Sequence, residues 1–484
     1  MRNIAVNPMS SRLFIRGRKC FIIAVLMLLC TSSGLAWADD WPTYMHDNHR
    51  SGVTAESLDL DTLNQRWVYT SPTPPLIAWD GGQPWDADNF NSVFQVPMRN
   101  FDTAFFVTTV GDFIYFGSSV TDSVHCLSAA TGLQQWAFTT DGPVRFPPSY
   151  YNGMLYFGSD DGYTYCIDAA TGALGWKYSP STDRRRIGNN GKLITMGPIR
   201  TGTAVLDGKV YFAASLVPWK SSYLCSVDAA TGSSSGTGLY SVSGGENPMS
   251  AILASATKIY LSQGRQSPSI YNRSTGSYLG HIGGERGEGG CFVLLTSDTG
   301  YAFSHGLAHK NSGYRSNEYV DYAATYNQAK FMIVSGPTAY VISEHFSLNM
   351  TTNDKTVINP TLKAINRSDQ STNWSVPGDS PYYYLILAGD TLFAGGTNKV
   401  TAHNPATGDE LWSRSVQGHV RGLAAANGRL YVSTDTGKIY MFGVVFPEDF
   451  NNNGIVDLPD LMLFAESYLD CTNPNDEDCL EYIP

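Results

Sequence analysis

The C-terminal part of the chain carries a dense set of metal-binding residue types. Oxygen-bearing side chains fall at positions 1, 3, 5, 9 and 12 of a twelve-residue stretch, with glycine at position 6. This spacing can surround a Ca²⁺ ion with oxygen ligands, while the glycine permits the sharp turn that the loop needs. The predicted calcium ligands are the side chains of Asp449, Asn451, Asn453, Asp457 and Asp460 and the backbone carbonyl of Ile455.

The residues after this loop predict a helix. Leu461, Phe464, Ala465, Tyr468 and Leu469 recur at helical spacing and form an apolar stripe. The alternative is an acidic, Asn-rich tail, because residues 447–484 contain ten Asp and Glu and no Lys or Arg. The loop and the helix together favour a calcium-binding segment.

Two arginines in matching contexts form a second candidate site. Arg145 ends Gly-Pro-Val-Arg and Arg200 ends Gly-Pro-Ile-Arg, each 11 residues before the tyrosine of a recurring apolar strand. On the innermost strands of neighbouring sheets, two such guanidinium groups would bind a carboxylate or a phosphate. The alternative is that each arginine pairs with a nearby acid such as Asp102 or Asp161. The sequence leaves both interpretations open.

The first 38 residues are typical of a secretory signal. Basic residues between positions 12 and 19 precede the apolar run 20–30, and Ala36-Trp37-Ala38 follows. We expect cleavage before Asp39 and a periplasmic, cell-surface or extracellular protein. In an exported chain, Cys471 and Cys479, which flank a polar loop, are predicted to form a disulfide.

Length and composition narrow the class of protein. The chain has 484 residues, of which 42% are hydrophobic and 15% charged, and this excludes a disordered chain. A net charge of −11 disfavours binding to nucleic acid and to anionic lipid surfaces. No segment after the leader is long and apolar enough to span a membrane.

Recurring strand motifs predict the fold. Two clear copies cover residues 113–136 and 155–176, and each reads strand, strand, turn, strand. This spacing is typical of one four-stranded antiparallel sheet per repeat, and it predicts an all-β, eight-bladed β-propeller with seven blades as the alternative. The strand Arg66–Tyr69 lacks a preceding repeat and is expected to complete the last blade. Weaker copies begin at Val210, Ile259, Ala339, Leu392 and Leu430, with a degenerate one at 300–304.

These repeats resemble the PQQ-binding-like β-propeller family over roughly residues 41 to 443. The family's motif Ala-x-Asp-x-x-Thr-Gly-x-x-x-Trp is matched at Trp136, Trp176 and Trp412. The resemblance implies that these tryptophans pack between neighbouring blades. Residues 40–52 look like the N-terminal segment of many secreted bacterial members. The predicted organisation is therefore a signal (1–38), a propeller (39–446) and a calcium-binding tail (447–484).

The resemblance also bears on the cofactor. Quinoprotein alcohol dehydrogenases of this family stack PQQ beneath a disulfide between adjacent cysteines and hold calcium beside a catalytic Asp. No two cysteines are adjacent in this chain. PQQ is therefore not expected, and no catalytic or cofactor-binding residue is assigned. Cys126 and Cys166 occupy equivalent places in two repeats and are expected to be small core residues.

The C-terminal loop and helix are similar to one EF-hand-type half of a type I dockerin. Dockerins normally carry two such halves, and residues 470–478 have neither the spacing nor the glycine of a second loop. The resemblance implies docking to a cohesin-like partner, while the single loop leaves that role open.

The predicted function is that of an exported, non-catalytic propeller acting as a binding or scaffold module. Its calcium-binding tail would attach it to a protein partner or a cell-surface component, and Arg145 and Arg200 would receive a small anion. The alternative is a PQQ-dependent dehydrogenase of alcohols or sugars.

Overall fold

The computed structural model describes a large part of the chain. The chain divides into two units, residues 1–37 and 38–484, and the described residues all lie in the second. No helix in that described part has the length and apolar character needed to cross a membrane. The described residues are 39–79, 101–217, 220–234, 239–242, 246–263, 267–282, 292–297, 300–304, 313–319, 322–327, 329–348, 355–444, 458 and 460–463.

Over these residues the fold is all-β, and six of its sheets are four-stranded and antiparallel. Sheet one contains β3–β6 (Val107–Val110, Phe113–Ser118, Ser123–Ser128, Gln134–Thr139), and sheet two contains β7–β10 (Ser149–Tyr151, Met154–Gly158, Thr164–Asp168, Leu174–Tyr178). Sheet three contains β13–β16 (Ala204–Leu206, Lys209–Ala214, Ser222–Asp228, Leu239–Val242), and sheet four contains β17–β20 (Leu253–Ala254, Lys258–Leu261, Ser269–Asn272, Tyr278–His281). Sheet five contains β21–β24 (Val293–Leu295, Tyr301–Ser304, Gly313–Tyr319, Tyr322–Asn327), and sheet six contains β25–β28 (Ala329–Ser335, Thr338–Leu348, Lys355–Asn366, Thr372–Pro377). A separate hairpin, β11 (Arg186–Asn189) and β12 (Lys192–Thr195), lies between sheets two and three in the chain.

The burial of the strands follows their place in each sheet. The second strand β4 is almost wholly buried, as expected for a strand that is covered on both faces. The fourth strand β6 instead alternates between exposed and half-buried residues, which is typical of a strand with one face in solvent. The apolar repeats are therefore explained by sheets that pack face to face.

The last part of the described chain forms a seven-stranded sheet. Its order is β1-β29-β30-β31-β32-β33-β2, and β31 changes partner along its length. The first part of β31 pairs with β30, up to His419 opposite Thr397, and its second part pairs with β32, starting at Val420 opposite Thr434. Its strands are β1 (Val53–Thr54), β2 (Leu63–Thr70), β29 (Tyr382–Ala388), β30 (Thr391–His403), β31 (Glu410–Ala426), β32 (Arg429–Thr434) and β33 (Lys438–Val444).

The beginning and the end of the propeller region meet in this sheet. Strand β2 pairs antiparallel with β33, from Leu63 opposite Val444 to Thr70 opposite Lys438. The predicted pairing of the Arg66–Tyr69 strand with the last repeat is confirmed. Because β33 gains a partner, its edge is not left open for pairing with another chain.

Tryptophans of the fourth strands pack on a turn of the next sheet. A Cβ on Gly172 would come within 2.8 Å of the Trp136 ring, and one on Gly232 within 2.5 Å of the Trp176 ring. Both glycines also have positive φ values, +71° and +68°. The Trp176 Nε1 donates to the backbone oxygen of Ala229 at 2.9 Å. The Thr-Gly turn therefore needs glycine both for its conformation and for the ring above it.

The same contact recurs at two positions that the repeat motif did not single out. Trp67 lies against Gly132, and Trp374 lies against Gly408. Trp412 is buried and donates from Nε1 to a backbone oxygen in β2 at 3.3 Å. Trp67 and Trp374 link consecutive sheets through packing and a hydrogen bond to backbone, while Trp412 links β31 to β2 within the seven-stranded sheet.

Candidate functional site

Two arginines and two aspartates form a buried ion-pair cluster. Arg145 precedes β7 and Arg200 precedes β13, so they occupy matching places in sheets two and three. Asp160 lies in the turn between β8 and β9, and Asp102 lies before β3. All four side chains are at most 2% exposed. We call these four residues the ion-pair cluster.

Asp160 is held by both guanidinium groups. Arg200 donates from Nε to Oδ1 at 3.0 Å and from Nη2 to Oδ2 at 2.8 Å, while Arg145 donates from Nε to Oδ2 at 2.8 Å. Burial alone would raise the pKa of Asp160, but the charges and hydrogen bonds of the two arginines lower it below its ordinary value. Asp160 is therefore ionised at neutral pH.

Asp102 has a less complete set of partners. Its Oδ2 accepts hydrogen bonds from Arg145 Nη1 and from the backbone nitrogen of Ala78. Its Oδ1 has no hydrogen-bond partner within the described part of the chain, and the same holds for Arg200 Nη1. Burial raises the pKa of Asp102 above its ordinary value, although Arg145 opposes this. Its ionised form is thus less favoured than that of Asp160.

The β11–β12 hairpin and the segment after β2 cover the ion-pair cluster. Asn189 accepts a hydrogen bond from Arg200 Nη2 at 2.8 Å, and Asn190 donates to the backbone oxygen of Ile77 at 2.6 Å. The guanidinium of Arg200 also lies 5.2 Å from the centre of the Trp79 ring. This covering explains why the charges are buried.

The geometry does not support the predicted anion site at Arg145 and Arg200. Each guanidinium faces a carboxylate, and two positive charges meet two negative charges, so the cluster has no excess positive charge for an anion. The alternative interpretation, pairing with nearby aspartates, is the one found, with Asp160 in the place expected for Asp161. Asp161 instead accepts a hydrogen bond from the Tyr165 hydroxyl at 2.6 Å.

Residues 40–54, which we call the N-terminal arm, run along the first strands of the sheets. The backbone of Trp41 pairs with Thr109 of β3 in both directions. Further along the arm, Asn48 O accepts from a backbone nitrogen of β17, and His49 O accepts from one of β21. The arm ends as β1, which runs parallel to β29. A single segment therefore bridges the first strands of several sheets.

Arg50 fixes the middle of the arm. It is 2% exposed, and it donates to the backbone oxygens of Ile252, at 2.8 Å, and of Thr203, at 3.0 Å. Further bonds go to Thr43 and to the backbone of Tyr44. Burial lowers the pKa of Arg50 to about 10. The side chain donates to buried carbonyl groups ahead of β13 and β17, and the carbonyl of Thr203 also accepts from Ser149 Oγ at 2.8 Å.

Aromatic side chains occupy the space between the N-terminal arm and the first strands. Tyr44 contacts Phe106 and Phe146 edge to face, with ring centres 5.1 and 5.3 Å apart. Phe106 also contacts Tyr384, with ring centres 6.2 Å apart, and the ring centres of Tyr384 and Phe331 are 4.6 Å apart. All five residues are buried. We call them the central aromatic cluster.

The cavity beside this cluster is small. It has a volume of about 20 Å³ and lies against Tyr44, Arg50 and Phe331. A cavity of this size holds about one water molecule. The space is too small for a multi-ring cofactor.

The remaining predicted site residues are only partly described. Asp460 is buried in a short helical stretch, of which residues 458 and 460–463 are described. The other predicted calcium ligands, Asp449, Asn451, Asn453, Ile455 and Asp457, and the predicted disulfide partners, Cys471 and Cys479, lie outside the described residues. Within the described ranges, no three His, Cys, Asp or Glu side chains are arranged to hold a metal ion.

The cysteines of the sheets are buried and free. Cys126, Cys166 and Cys225 lie on the third strands of sheets one, two and three. Burial raises the pKa of Cys126 to about 12 and that of Cys166 to about 11. These thiols are therefore neutral and behave as small apolar core groups.

Comparison with known proteins places the chain in a family. The sequence profile described as "Outer membrane protein assembly factor BamB" matches residues 36–278 and 359–444, which is more than half of the chain. The chain belongs to this family. None of the curated proteins compared matches the BamB-family chain in sequence.

Solved structures share the fold of this BamB-family chain. The quinohemoprotein alcohol dehydrogenase from Comamonas testosteroni is 14% identical, with a TM-score of 0.61, over 84% of this chain and 80% of that one. The quinohemoprotein alcohol dehydrogenase ADHIIG from Pseudomonas putida HK5 is 12% identical, with a TM-score of 0.60, over 87% and 81%. A europium-containing methanol dehydrogenase is 12% identical, with a TM-score of 0.57, over 84% and 98%. At these identities the similarity shows the propeller fold and nothing about activity.

Proposed function

We propose that this BamB-family protein is an exported, non-catalytic β-propeller that serves as a binding or scaffold module for a protein partner. Its ring has eight blades, of which six are the four-stranded sheets of the described chain. The seven-stranded sheet supplies the other two, divided where β31 changes partner after His419, next to Gly418 with its φ of +96°.

The packed space inside the first strands carries this proposal. Small-molecule and cofactor sites are typically clefts of about 300–1,000 Å³. Here the N-terminal arm and the central aromatic cluster leave a cavity of about 20 Å³. A Cβ on Gly422 of β31 would come within 2.9 Å of the Phe106 ring, so this aromatic ring packs directly against β31. Because the space beside the arm is so small, we expect the partner to bind the outer surface of the propeller.

The ion-pair cluster is consistent with a structural role. A catalytic acid or base needs access to substrate, and Asp102 and Asp160 are buried against arginines. The absence of adjacent cysteines in the sequence removes the disulfide that shields PQQ in the related dehydrogenases. Both features disfavour the alternative function, a PQQ-dependent dehydrogenase.

Apolar side chains at the outer rim offer a surface for a protein partner. Four apolar residues lie near the beginning of a fourth strand, three of them in four-stranded sheets and one in β31 of the seven-stranded sheet. Each is at least 49% exposed: Leu133, Leu174, Tyr278 and Leu411. Each of these apolar side chains lies within three residues after the turn glycine that precedes a fourth strand, where a partner could contact it. We call these four residues the rim residues.

The C-terminal segment is proposed to bind calcium and to attach the propeller. The support is the ligand spacing from Asp449 to Asp460 and the apolar stripe that follows. Aspartate at the last position reaches less far than glutamate, so we expect a Kd of about 10⁻⁴ to 10⁻³ M, as in extracellular modules. The sequence before Asp39 supports export.

Turnover measurements test the non-catalytic proposal. Purified protein starting at Asp39 is incubated with PQQ and Ca²⁺ and assayed for dye-linked oxidation of alcohols and sugars. We expect no oxidation above the blank, while a quinoprotein dehydrogenase prepared in the same way is active. Oxidation that depends on both PQQ and Ca²⁺ would overturn the proposal.

A further inference from the structure

A buried carboxylate lies at the point where the mature chain is predicted to begin. The backbone nitrogen of Asp39 donates a hydrogen bond to Glu56 Oε2 at 2.9 Å. The other carboxylate oxygen, Oε1, accepts from the backbone nitrogen of Gly428 at 2.6 Å. Glu56 is 3% exposed. Its two oxygens thus join Asp39, the residue before the N-terminal arm, to the turn between β31 and β32.

Glu56 has no cationic side chain as a partner among the residues that the structure describes. The ion pairs found there use other acids, and the two hydrogen-bond donors to the Glu56 oxygens are backbone nitrogens. A buried carboxylate without a counter-charge is costly, because it loses its hydration without gaining a compensating charge. A positive charge on the Asp39 nitrogen would supply the counter-charge that the Glu56 carboxylate lacks.

We infer that Glu56 is the receptor for the α-ammonium group of the mature chain. This inference rests on the proposed export. Hydrolysis of the bond between Ala38 and Asp39 by a signal peptidase consumes one water, leaves a carboxylate on Ala38 and turns the Asp39 nitrogen into an ammonium group. That nitrogen already lies at ion-pair distance from Glu56. Processing therefore converts a hydrogen bond between a backbone amide and a carboxylate into a partly buried ion pair.

Hydrogen bonds from neighbouring side chains hold Asp39 and Asp40 in place. The carboxylate of Asp39 accepts from Thr54 Oγ1 at 2.5 Å and lies 3.1 Å from His46 Nε2. Asp40 Oδ1 accepts from the side chain of Asn427 at 3.0 Å. The terminus is fixed both to the arm and to the β31–β32 turn. Removal of the leader thus adds a charge pair at the sheet where the first and last strands meet.

A thermodynamic cycle tests this ion pair. The chain that starts at Asp39 is compared with one that retains Trp37 and Ala38, each with Glu56 and with Glu56→Gln, by thermal unfolding at pH 7. We expect the extension to lower Tm when Glu56 is present and to have no effect in the Glu56→Gln background. Equal losses of Tm in both backgrounds would overturn the inference.

Two measurements on the unaltered chain complete the test. An amine-selective reagent at pH 7 is expected to label the α-amine more slowly than it labels a peptide of the same first residues, and equal rates would contradict the inference. N-terminal sequencing of the exported protein is expected to give Asp39. A different first residue would overturn the inference and leave the non-catalytic role to be judged by the turnover assay.

Discussion

Asp160 and Arg200 form a two-pronged ion pair inside the protein, with Nε–Oδ1 and Nη2–Oδ2 distances of 3.0 and 2.8 Å. The two residues come from neighbouring sheets, Asp160 from the β8–β9 turn of sheet two and Arg200 from the segment before β13 of sheet three. Arg145 shares the same carboxylate. The pair therefore joins two sheets electrostatically as well as by packing.

Removal of the Asp160 charge is expected to destabilise the fold strongly. Asp160→Asn leaves Arg145 and Arg200 buried with one carboxylate between them, and breaking a buried pair in this way costs about 3–5 kcal/mol. Urea unfolding at pH 7 measures the loss. The matched control is Asp183→Asn, which removes a surface partner of Arg185 and should change the unfolding free energy by less than about 0.5 kcal/mol.

The pH dependence gives the same prediction a second readout. Because the pKa of Asp160 is lowered in the folded protein, its contribution to stability is present above the ordinary aspartate pKa of about 3.9 and is lost as pH falls through the folded value. The difference between the unaltered chain and Asp160→Asn should therefore shrink below about pH 4. A difference that stays constant down to pH 3 would contradict this account.

Substitutions at Gly172, which lies beneath Trp136, and at Gly153 distinguish the cost of overpacking from the cost of backbone strain. Gly172→Ala places a Cβ within 2.8 Å of the Trp136 ring at a positive φ, whereas Gly153→Ala has a similar φ and nothing within 4 Å. We expect about 1–2 kcal/mol of destabilisation at Gly153 from strain, and a further 1–3 kcal/mol at Gly172 from overpacking. Equal losses in urea unfolding would show that the tryptophan does not pack on the turn.

The repeats made the strands predictable, because each one combines apolar residues with a turn of fixed composition. Asp160 was missed as the partner of Arg145, since Asp160 and Asp161 are adjacent and only the turn geometry decides which faces the arginines. The role of Arg50 was also missed. Its acceptors, Thr203 O and Ile252 O, are backbone atoms far along the chain, and a sequence carries no signal for such contacts.

The rim residues are expected to contact the protein partner. Leu133→Asp and Leu174→Asp each place a charge on an exposed apolar position, so they should weaken partner binding with little change in stability. The control is Leu193→Asp, an equally exposed leucine on the β12 strand. Chemical crosslinking in intact cell envelopes measures the adduct. Loss of the adduct in Leu193→Asp, or its retention in both rim variants, would contradict the prediction.

Calcium is expected to order the C-terminal segment. Asp449→Ala deletes the first ligand of the predicted loop and should abolish binding at millimolar Ca²⁺ in calorimetry, together with the protection of the tail from protease. Asp470→Ala, which removes an acid outside the loop, is the matched control and should bind normally. Equal protease resistance with calcium and with chelator would favour a plain acidic tail.

Equilibrium dialysis against PQQ in the presence of Ca²⁺, read by absorbance, tests the central claim most directly. The cavity beside the N-terminal arm and the central aromatic cluster has a volume of about 20 Å³ and admits about one water, and the chain lacks the adjacent cysteines that shield PQQ in the related dehydrogenases. The account predicts no quinone retained beyond the level of an unrelated control protein. Retention of one PQQ per chain would contradict it.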